Sequence, residues 1–100
     1  MAQGASETSL ARLHVEVYGR VQGVGFRYYT QSQARRLGVK GWVRNNWRGG
    51  VEVEAEGSRE VLERFLELVR KGPATARVER VDVVWGPYTG QYDDFEVRLW

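Results

Sequence analysis

The segment at residues 18–29, YGRVQGVGFRYY, joins two different hydrophobic periodicities and contains three glycines within seven residues. Before it, residues 11–18 alternate apolar and polar side chains, which is typical of a half-buried strand. After it, apolar residues between Phe26 and Leu37 recur at helical spacing, and Gly38 follows where helices favour a left-handed terminator. The segment therefore predicts a strand, a glycine-rich loop and a helix in succession.

Further along the chain, a hairpin precedes a second helix. Residues 41–57, GWVRNNWRGGVEVEAEG, read as two strands joined at residues 47–50. In the second of these strands the valines face one way and the glutamates Glu52, Glu54 and Glu56 face the other. Ser58 can cap the helix, whose apolar stripe runs to Val69 and which Gly72–Pro73 terminates.

The last third of the chain completes the predicted fold. Residues 76–85, ARVERVDVVW, predict a strand, and FEVRLW closes the chain with Phe95, Val97 and Leu99 facing inward. The predicted order is β-α-β-β-α-β. Right-handed crossovers then place both helices on one face of a mixed, largely antiparallel sheet. This is the α+β class, in the ferredoxin-like split-βαβ architecture.

Composition narrows the class of protein. One hundred residues suit a single domain, and we expect residues 1–10 to form a flexible polar tail before a domain at residues 11–100. The chain has no cysteine and one histidine, His14, which excludes thiolate and multi-histidine metal sites, so we expect neither a metal nor a cofactor. The first residues do not resemble a signal peptide, and no apolar run reaches the ~20 residues of a membrane span. We therefore expect a cytoplasmic monomer that does not associate with membranes.

The glycine loop is a candidate anion site. Its amides can converge on one point beside the positive end of the helix dipole, and Arg27 adds a planar guanidinium that matches two phosphate oxygens. The alternative is a plain strand-to-helix turn with a solvated arginine. Two nucleotide motifs are absent, because no Gly-Lys-Ser/Thr follows the loop and Tyr28 replaces the third glycine of a dinucleotide fingerprint. The loop residues are Gly19, Arg20, Val21, Gln22, Gly23, Val24 and Gly25.

The same loop carries a resemblance to a known family. GRVQGVGFR resembles the acylphosphatase signature G-x-V-Q-G-V-x-F/Y-R at every fixed position, and LGVKGWVRN is similar to the family's second block. The resemblance runs from about Leu13 to Trp100. It implies a small ferredoxin-like enzyme that hydrolyses the carboxyl-phosphate bond, with the loop as phosphate cradle, Arg27 as catalytic arginine and Asn45 orienting water. Residues 46–50, NWRGG, depart from the family pattern at the rim of the site.

The implied reaction suits the residue types that the chain offers. Neither a general base with a pKa near neutrality nor a serine–histidine pair is evident near the loop. Hydrolysis of an acyl phosphate needs little proton transfer from the protein, because the leaving carboxylate is a weak base. Positioning and charge stabilisation then dominate, as in phosphoryl transfer generally. The expected partners are a small acyl phosphate and inorganic phosphate, as product and competitive inhibitor.

Two other functions share this predicted topology. RNA-recognition modules place aromatic residues on the outward face of the sheet, whereas here Glu52, Glu54 and Glu56 occupy that face of the third strand and would repel a phosphate backbone. We therefore expect no nucleic-acid partner. The second alternative is a non-catalytic phosphate-binding ferredoxin-like module. Sequence distinguishes it poorly from the enzyme, because catalysis depends on the exact placement of water.

Overall fold

The computed structural model describes residues 9–99, and these form five strands and two helices. The sheet has the order β4-β1-β3-β2-β5, with β5 parallel to β2 and every other neighbouring pair antiparallel. The elements are β1 Leu10–Arg20, α1 Phe26–Leu37, β2 Lys40–Asn45, β3 Val51–Ser58, α2 Arg59–Lys71, β4 Arg77–Gly86 and β5 Phe95–Arg98. The predicted ferredoxin-like α+β fold is confirmed, with β5 as an additional strand at the β2 edge.

The core lies between the two helices and one face of the sheet. Leu13, Val15 and Val17 of β1 are fully buried, as the alternation of apolar and polar residues predicts. The buried side chains of α1 and α2 cover this face, and Phe65 of α2 meets Phe95 of β5 edge-on at 5.8 Å between ring centroids. One apolar face per element is thus enough to form a single core.

Each helix begins and ends where its sequence predicts. Gly25 precedes α1 with a φ of 81°, and Gly38 follows it with a φ of 75°. Both conformations are left-handed and favour glycine. Helix α2 starts at Ser58, whose Oγ accepts a hydrogen bond from the Val61 amide at 3.3 Å, and ends at Gly72 with a φ of 69°. None of the helices among residues 9–99 is long and apolar enough to cross a membrane.

The β3 glutamates face away from the helices, as the alternation predicts, but two of them are buried. All three lie on the helix-free face, but Glu54 is 8% exposed and Glu56 only 1%. Glu56 accepts hydrogen bonds from the Thr89 hydroxyl at 2.7 Å, the Thr89 amide at 2.9 Å and the Gly90 amide at 2.9 Å. Burial alone would raise the pKa of Glu56, but these bonds lower it below the ordinary value. The β4–β5 connection therefore covers this end of the sheet.

Both ends of the chain differ from the sequence-based boundaries. Strand β1 begins at Leu10, one residue before the predicted domain, while residues 1–8 of the predicted tail lie outside the described residues, as does Trp100. Phe95 is buried and Val97 packs against the core, but Leu99 is 81% exposed. The prediction that Leu99 faces inward is wrong, because β5 ends at Arg98.

Candidate functional site

The sheet brings the glycine loop and Asn45 to the same end, where β1 and β2 terminate. Strands β1 and β2 both run antiparallel to β3, so they are parallel to each other and end on the same side. Asn45 is paired with Val51, and Val51 is paired with Val17 on the other side. Asn45 is thus about 10 Å, or two strand spacings, from Val17, three residues before β1 ends at Arg20 and the loop begins.

The structure divides the seven predicted cradle residues into two groups. Gly19 and Arg20 are the last residues of β1 and pair with β4 across a register shift. A Cβ on Gly19 would lie 2.2 Å from the Arg77 carbonyl oxygen, so this glycine permits the close approach of β4. The loop proper is residues 21–25, between β1 and α1.

Glycines in the loop proper serve its backbone conformation. Gly23 and Gly25 have φ values of 75° and 81°, although a Cβ on either would meet nothing within 4 Å. Left-handed residues interspersed in a short loop turn successive amides towards one side, which is the geometry of an anion-binding nest. Val21, 1% exposed, anchors the loop in the core, and the Thr75 hydroxyl donates to the Val24 carbonyl at 2.7 Å.

Gln22 fastens the loop to the β2–β3 hairpin. Its Nε2 donates hydrogen bonds to the carbonyl oxygens of Asn46 at 2.9 Å and Gly50 at 2.8 Å. The Asn46 Oδ1 in turn accepts from the amides of Arg48 at 3.0 Å and Gly50 at 2.8 Å, which closes the turn. These bonds fix the position of the loop relative to Asn45, the residue before Asn46.

The two predicted catalytic side chains have unused polar atoms. Within residues 9–99 the guanidinium of Arg27, in the first turn of α1, makes no hydrogen bond or ion pair. The Oδ1 of Asn45 is buried and has no partner in the same part of the chain. A buried acceptor without a partner costs about 1–3 kcal/mol, and such groups are rare in folded proteins.

A groove of about 540 Å³ adjoins the site beside Asn45. It is lined by Glu16, Arg44, Asn45, Asn46, Trp47, Arg48 and Glu52. Neither Arg27 nor the loop lines it, so the groove is separate from the predicted phosphate cradle and shares only Asn45 with the candidate site. Trp47, 88% exposed, stands at its rim, as the departure from the family pattern at residues 46–50 suggests.

Sequence reasoning missed the structural roles of Gln22 and Asn46. The motif places Gln22 among residues expected to surround phosphate, but its side-chain amide is bonded to the hairpin. Asn46 also donates to the Tyr18 hydroxyl at 3.4 Å, and Tyr18 donates to Glu16 at 2.8 Å. An asparagine next to a hairpin does signal a turn, but nothing in the sequence signals these long-range partners.

Comparisons with known proteins agree with this arrangement. The Acylphosphatase family model matches residues 13–97. The acylphosphatase of Salinibacter ruber is 52% identical over 87% of this chain and 92% of its own, and that of Anaeromyxobacter sp. is 52% identical over 89% and 96%. The crystal structure of acylphosphatase from Bacillus subtilis superposes with a TM-score of 0.85 at 35% identity, covering 88% of this chain and 98% of that one. The chain therefore belongs to the acylphosphatase family, the enzymes that hydrolyse acyl phosphates.

Proposed function

We propose that the loop at residues 21–25 and Arg27 hold the phosphoryl group of an acyl phosphate while Asn45 orients the attacking water. The observation that carries this proposal is the pair of unpartnered polar groups, the Arg27 guanidinium and the buried Asn45 Oδ1, at the edge where β1 and β2 end. Hydrogen bonds already join the loop to the hairpin beside Asn45, so little backbone reorganisation is needed when substrate binds.

The loop and Arg27 supply positive potential from two sources. The amides at the start of α1 carry the positive end of the helix dipole, and Gly23 and Gly25 give the loop the left-handed turns of a nest. Arg27 adds a full charge in a planar fork that can donate to two phosphoryl oxygens. In the transition state these donors would stabilise the charge on the equatorial oxygens. Gly19 and Arg20, the last residues of β1, lead into this loop.

Asn45 has the right chemistry to place water. Its Oδ1 can accept a hydrogen bond from the nucleophilic water, and its Nδ2 can donate to the phosphoryl group. The water oxygen forms the new P–O bond as the P–O bond to the acyl group breaks. The bonding electron pair leaves with the carboxylate, and a phosphoryl oxygen takes the proton of the water. No protonated leaving group is needed, so the site requires no general acid.

Turnover of benzoyl phosphate by single-residue variants tests this assignment. Removing one hydrogen-bond donor that stabilises the transition state typically lowers turnover by about 10²–10³-fold. We expect Arg27→Ala to lose both hydrolysis and phosphate affinity, and Asn45→Ala to lose turnover while inorganic phosphate still binds. Calorimetric titration with phosphate separates the two effects.

Arg64→Ala is the matched control for the arginine. Arg64 is an exposed arginine in the middle of α2, with no hydrogen bond to the loop at residues 21–25. Its replacement should leave both turnover and phosphate affinity unchanged. An Arg27→Ala variant that hydrolyses benzoyl phosphate as fast as Arg64→Ala would overturn the assignment.

One further property follows from the same proposal. Inorganic phosphate should occupy the cradle after reaction and therefore compete with substrate. The monomeric state and the cytoplasmic location stay predictions from the sequence. The helix-free face continues to argue against an RNA surface, because the β4–β5 connection covers Glu56 and the partly exposed carboxylates of Glu16 and Glu52 would repel a phosphate backbone.

A further inference from the structure

The helix-free face of the sheet carries the chain's one histidine in a cluster of glutamates. His14 of β1 lies directly opposite Glu54 of β3, and Glu16 lies directly opposite Glu52. Like charges directly opposite each other in neighbouring strands are destabilising unless a positive group lies between them. The cluster includes neither Arg27 nor Asn45 nor any residue of the loop at 21–25, although Glu16 and Glu52 line the same groove as Asn45.

Three donor atoms converge in this cluster. His14 Nε2 lies 3.1 Å from Glu52 Oε2 and 3.9 Å from Glu16 Oε2. One donor atom from each of the three residues lies within 4.8 Å of the others. Metal–nitrogen and metal–oxygen bonds of about 2.0–2.2 Å place neighbouring ligand atoms roughly 3–4 Å apart. The distances of 3.1 Å and 3.9 Å from His14 Nε2 therefore suit one small divalent ion shared by the imidazole and the two carboxylates.

The outer atoms of the same side chains are already held in place. His14 Nδ1 lies 2.7 Å from Glu54 Oε2, so an Nδ1–H would donate to that carboxylate and leave the Nε2 lone pair free. Glu52 Oε1 accepts from Arg44 at 2.9 Å, and Glu16 Oε1 accepts from the Tyr18 hydroxyl at 2.8 Å. In each side chain one atom is thus fixed and the other faces the centre, which is how outer partners orient metal ligands.

Glu54 supplies an independent indication of a missing positive charge. The residue is 8% exposed, and its Oε1 is buried without a partner among residues 9–99. Arg12 reaches only the other oxygen, at 3.4 Å. A buried carboxylate oxygen left unpaired is costly, and a dication bound to the adjacent imidazole would offset part of that cost.

We propose that His14 Nε2, Glu16 and Glu52 bind a divalent transition-metal ion, with Zn²⁺ as the best match. Zn²⁺ accepts both imidazole nitrogen and carboxylate oxygen, whereas Mg²⁺ and Ca²⁺ prefer oxygen ligands alone. Glu16 and Glu52 line the 540 Å³ groove, which gives the ion an entry path and leaves its fourth position to water. The proposal departs from the sequence-based expectation of no metal, which considered only cysteine and multiple-histidine sites.

The competing arrangement is an imidazolium that pairs with the glutamates without a metal. Both arrangements satisfy the 3.1 Å contact, since either a proton on Nε2 or a nearby metal ion can offset the charge of Glu52. They differ in the state of Nε2, which is protonated in the first and metal-bound in the second. Because His14 is the only histidine, long-range ¹H–¹⁵N correlation spectra of the labelled full chain report both ring nitrogens without overlap.

Titration with ZnSO₄ decides between the two. We expect the His14 Nε2 resonance to shift and saturate at one equivalent, Nδ1 to stay protonated, and calorimetry to give one Zn²⁺ per chain. Glu16→Gln and Glu52→Gln should each raise the Zn²⁺ dissociation constant at least about tenfold. Glu79→Gln, which changes an exposed glutamate of β4, should leave it unchanged.

The spectra of the unmodified chain keep the test decisive even if one variant fails to fold. Two protonated ring nitrogens that do not respond to Zn²⁺ at neutral pH would overturn the proposal in favour of an ion-pair cluster. Zn²⁺ binding that leaves the His14 resonances unchanged would overturn it as well, because the ion would then lie elsewhere. Neither outcome bears on the hydrolysis of acyl phosphates, which is measured separately.

Discussion

Replacing Gln22 with alanine should slow catalysis although this side chain does not bind substrate in the proposed mechanism. Gln22 Nε2 makes two hydrogen bonds to hairpin carbonyl oxygens, at 2.9 Å and 2.8 Å. Neutral hydrogen bonds of this kind contribute about 0.5–1.5 kcal/mol each, so Gln22→Ala should lower the free energy of unfolding by about 1–3 kcal/mol. The loop would then no longer be fixed relative to Asn45.

The same loss of free energy sets the largest decrease in kcat/KM that we expect. If the whole 1–3 kcal/mol is expressed in the alignment of loop and water, kcat/KM falls by between about fivefold and about 150-fold. Because the change alters alignment, most of the loss should appear in kcat, and phosphate affinity should change less. Steady-state hydrolysis of benzoyl phosphate, together with phosphate titration and urea unfolding, measures all three quantities.

Gln33→Ala is the matched control for Gln22→Ala. Gln33 belongs to α1, and its side chain accepts a hydrogen bond from Arg36 of the same helix at 2.6 Å. We expect its removal to leave kcat within twofold of the unmodified enzyme. If Gln22→Ala were equally harmless to kcat and to stability, the idea that this side chain positions the loop against the hairpin would be refuted.

Three further predictions concern other parts of the fold. Glu56→Gln should lower the free energy of unfolding at pH 7 by about 1.5–3 kcal/mol, because charge-assisted bonds from Thr89 weaken. Folding lowers the pKa of Glu56, so this stabilisation is complete above the ordinary glutamate pKa and is lost as pH falls through the pKa of the folded state. Urea unfolding should therefore show a smaller stability difference between the unmodified protein and Glu56→Gln at pH 3 than at pH 7. Gly41→Ala should lower the free energy of unfolding by more than about 2 kcal/mol, because φ is 146° and a Cβ would lie 1.9 Å from a carbonyl oxygen of β3. In Gly57→Ala the added Cβ meets nothing within 4 Å, so thermal unfolding should show almost no change in stability. Trp47→Ala should leave the melting temperature unchanged but raise the KM for benzoyl phosphate about two- to tenfold, as expected for loss of an aromatic contact at the groove rim; an unchanged KM would remove Trp47 from the substrate path.

The order of elements was predictable because each element carries a complete local signal. Helix α1 begins and ends at the predicted Phe26 and Leu37, where left-handed glycines flank a helical apolar pattern. The alternation in β1 likewise identifies its buried face. These features depend on residues near in sequence, so no knowledge of the tertiary structure is needed.

Burial on the helix-free face was not predictable for the opposite reason. Alternation places Glu54 and Glu56 away from the core, and it cannot reveal that the β4–β5 connection folds back to donate three hydrogen bonds to Glu56. Leu99 continues the inward alternation of β5, yet it lies past the last residue of that strand. Such contacts join residues more than thirty positions apart and depend on how the connection packs.

The candidate site likewise has features that the sequence predicts and features that depend on long-range contacts. The motif identifies the loop and Arg27, and the family resemblance adds Asn45. It does not reveal that Gly19 serves the close approach of β4, nor that Gln22 bonds to the hairpin. Both roles depend on strands that lie next to the loop in space and far from it in sequence.

Titration of the ¹⁵N-labelled enzyme with inorganic phosphate, followed through the backbone amide resonances, tests the central proposal most directly. We predict saturable downfield shifts of the loop amides at residues 22–25 and of the first turn of α1, and their disappearance in Arg27→Ala. Shifts confined to the groove near Arg44 and Arg48, with the loop amides unmoved, would contradict the assignment of the phosphate to the glycine loop.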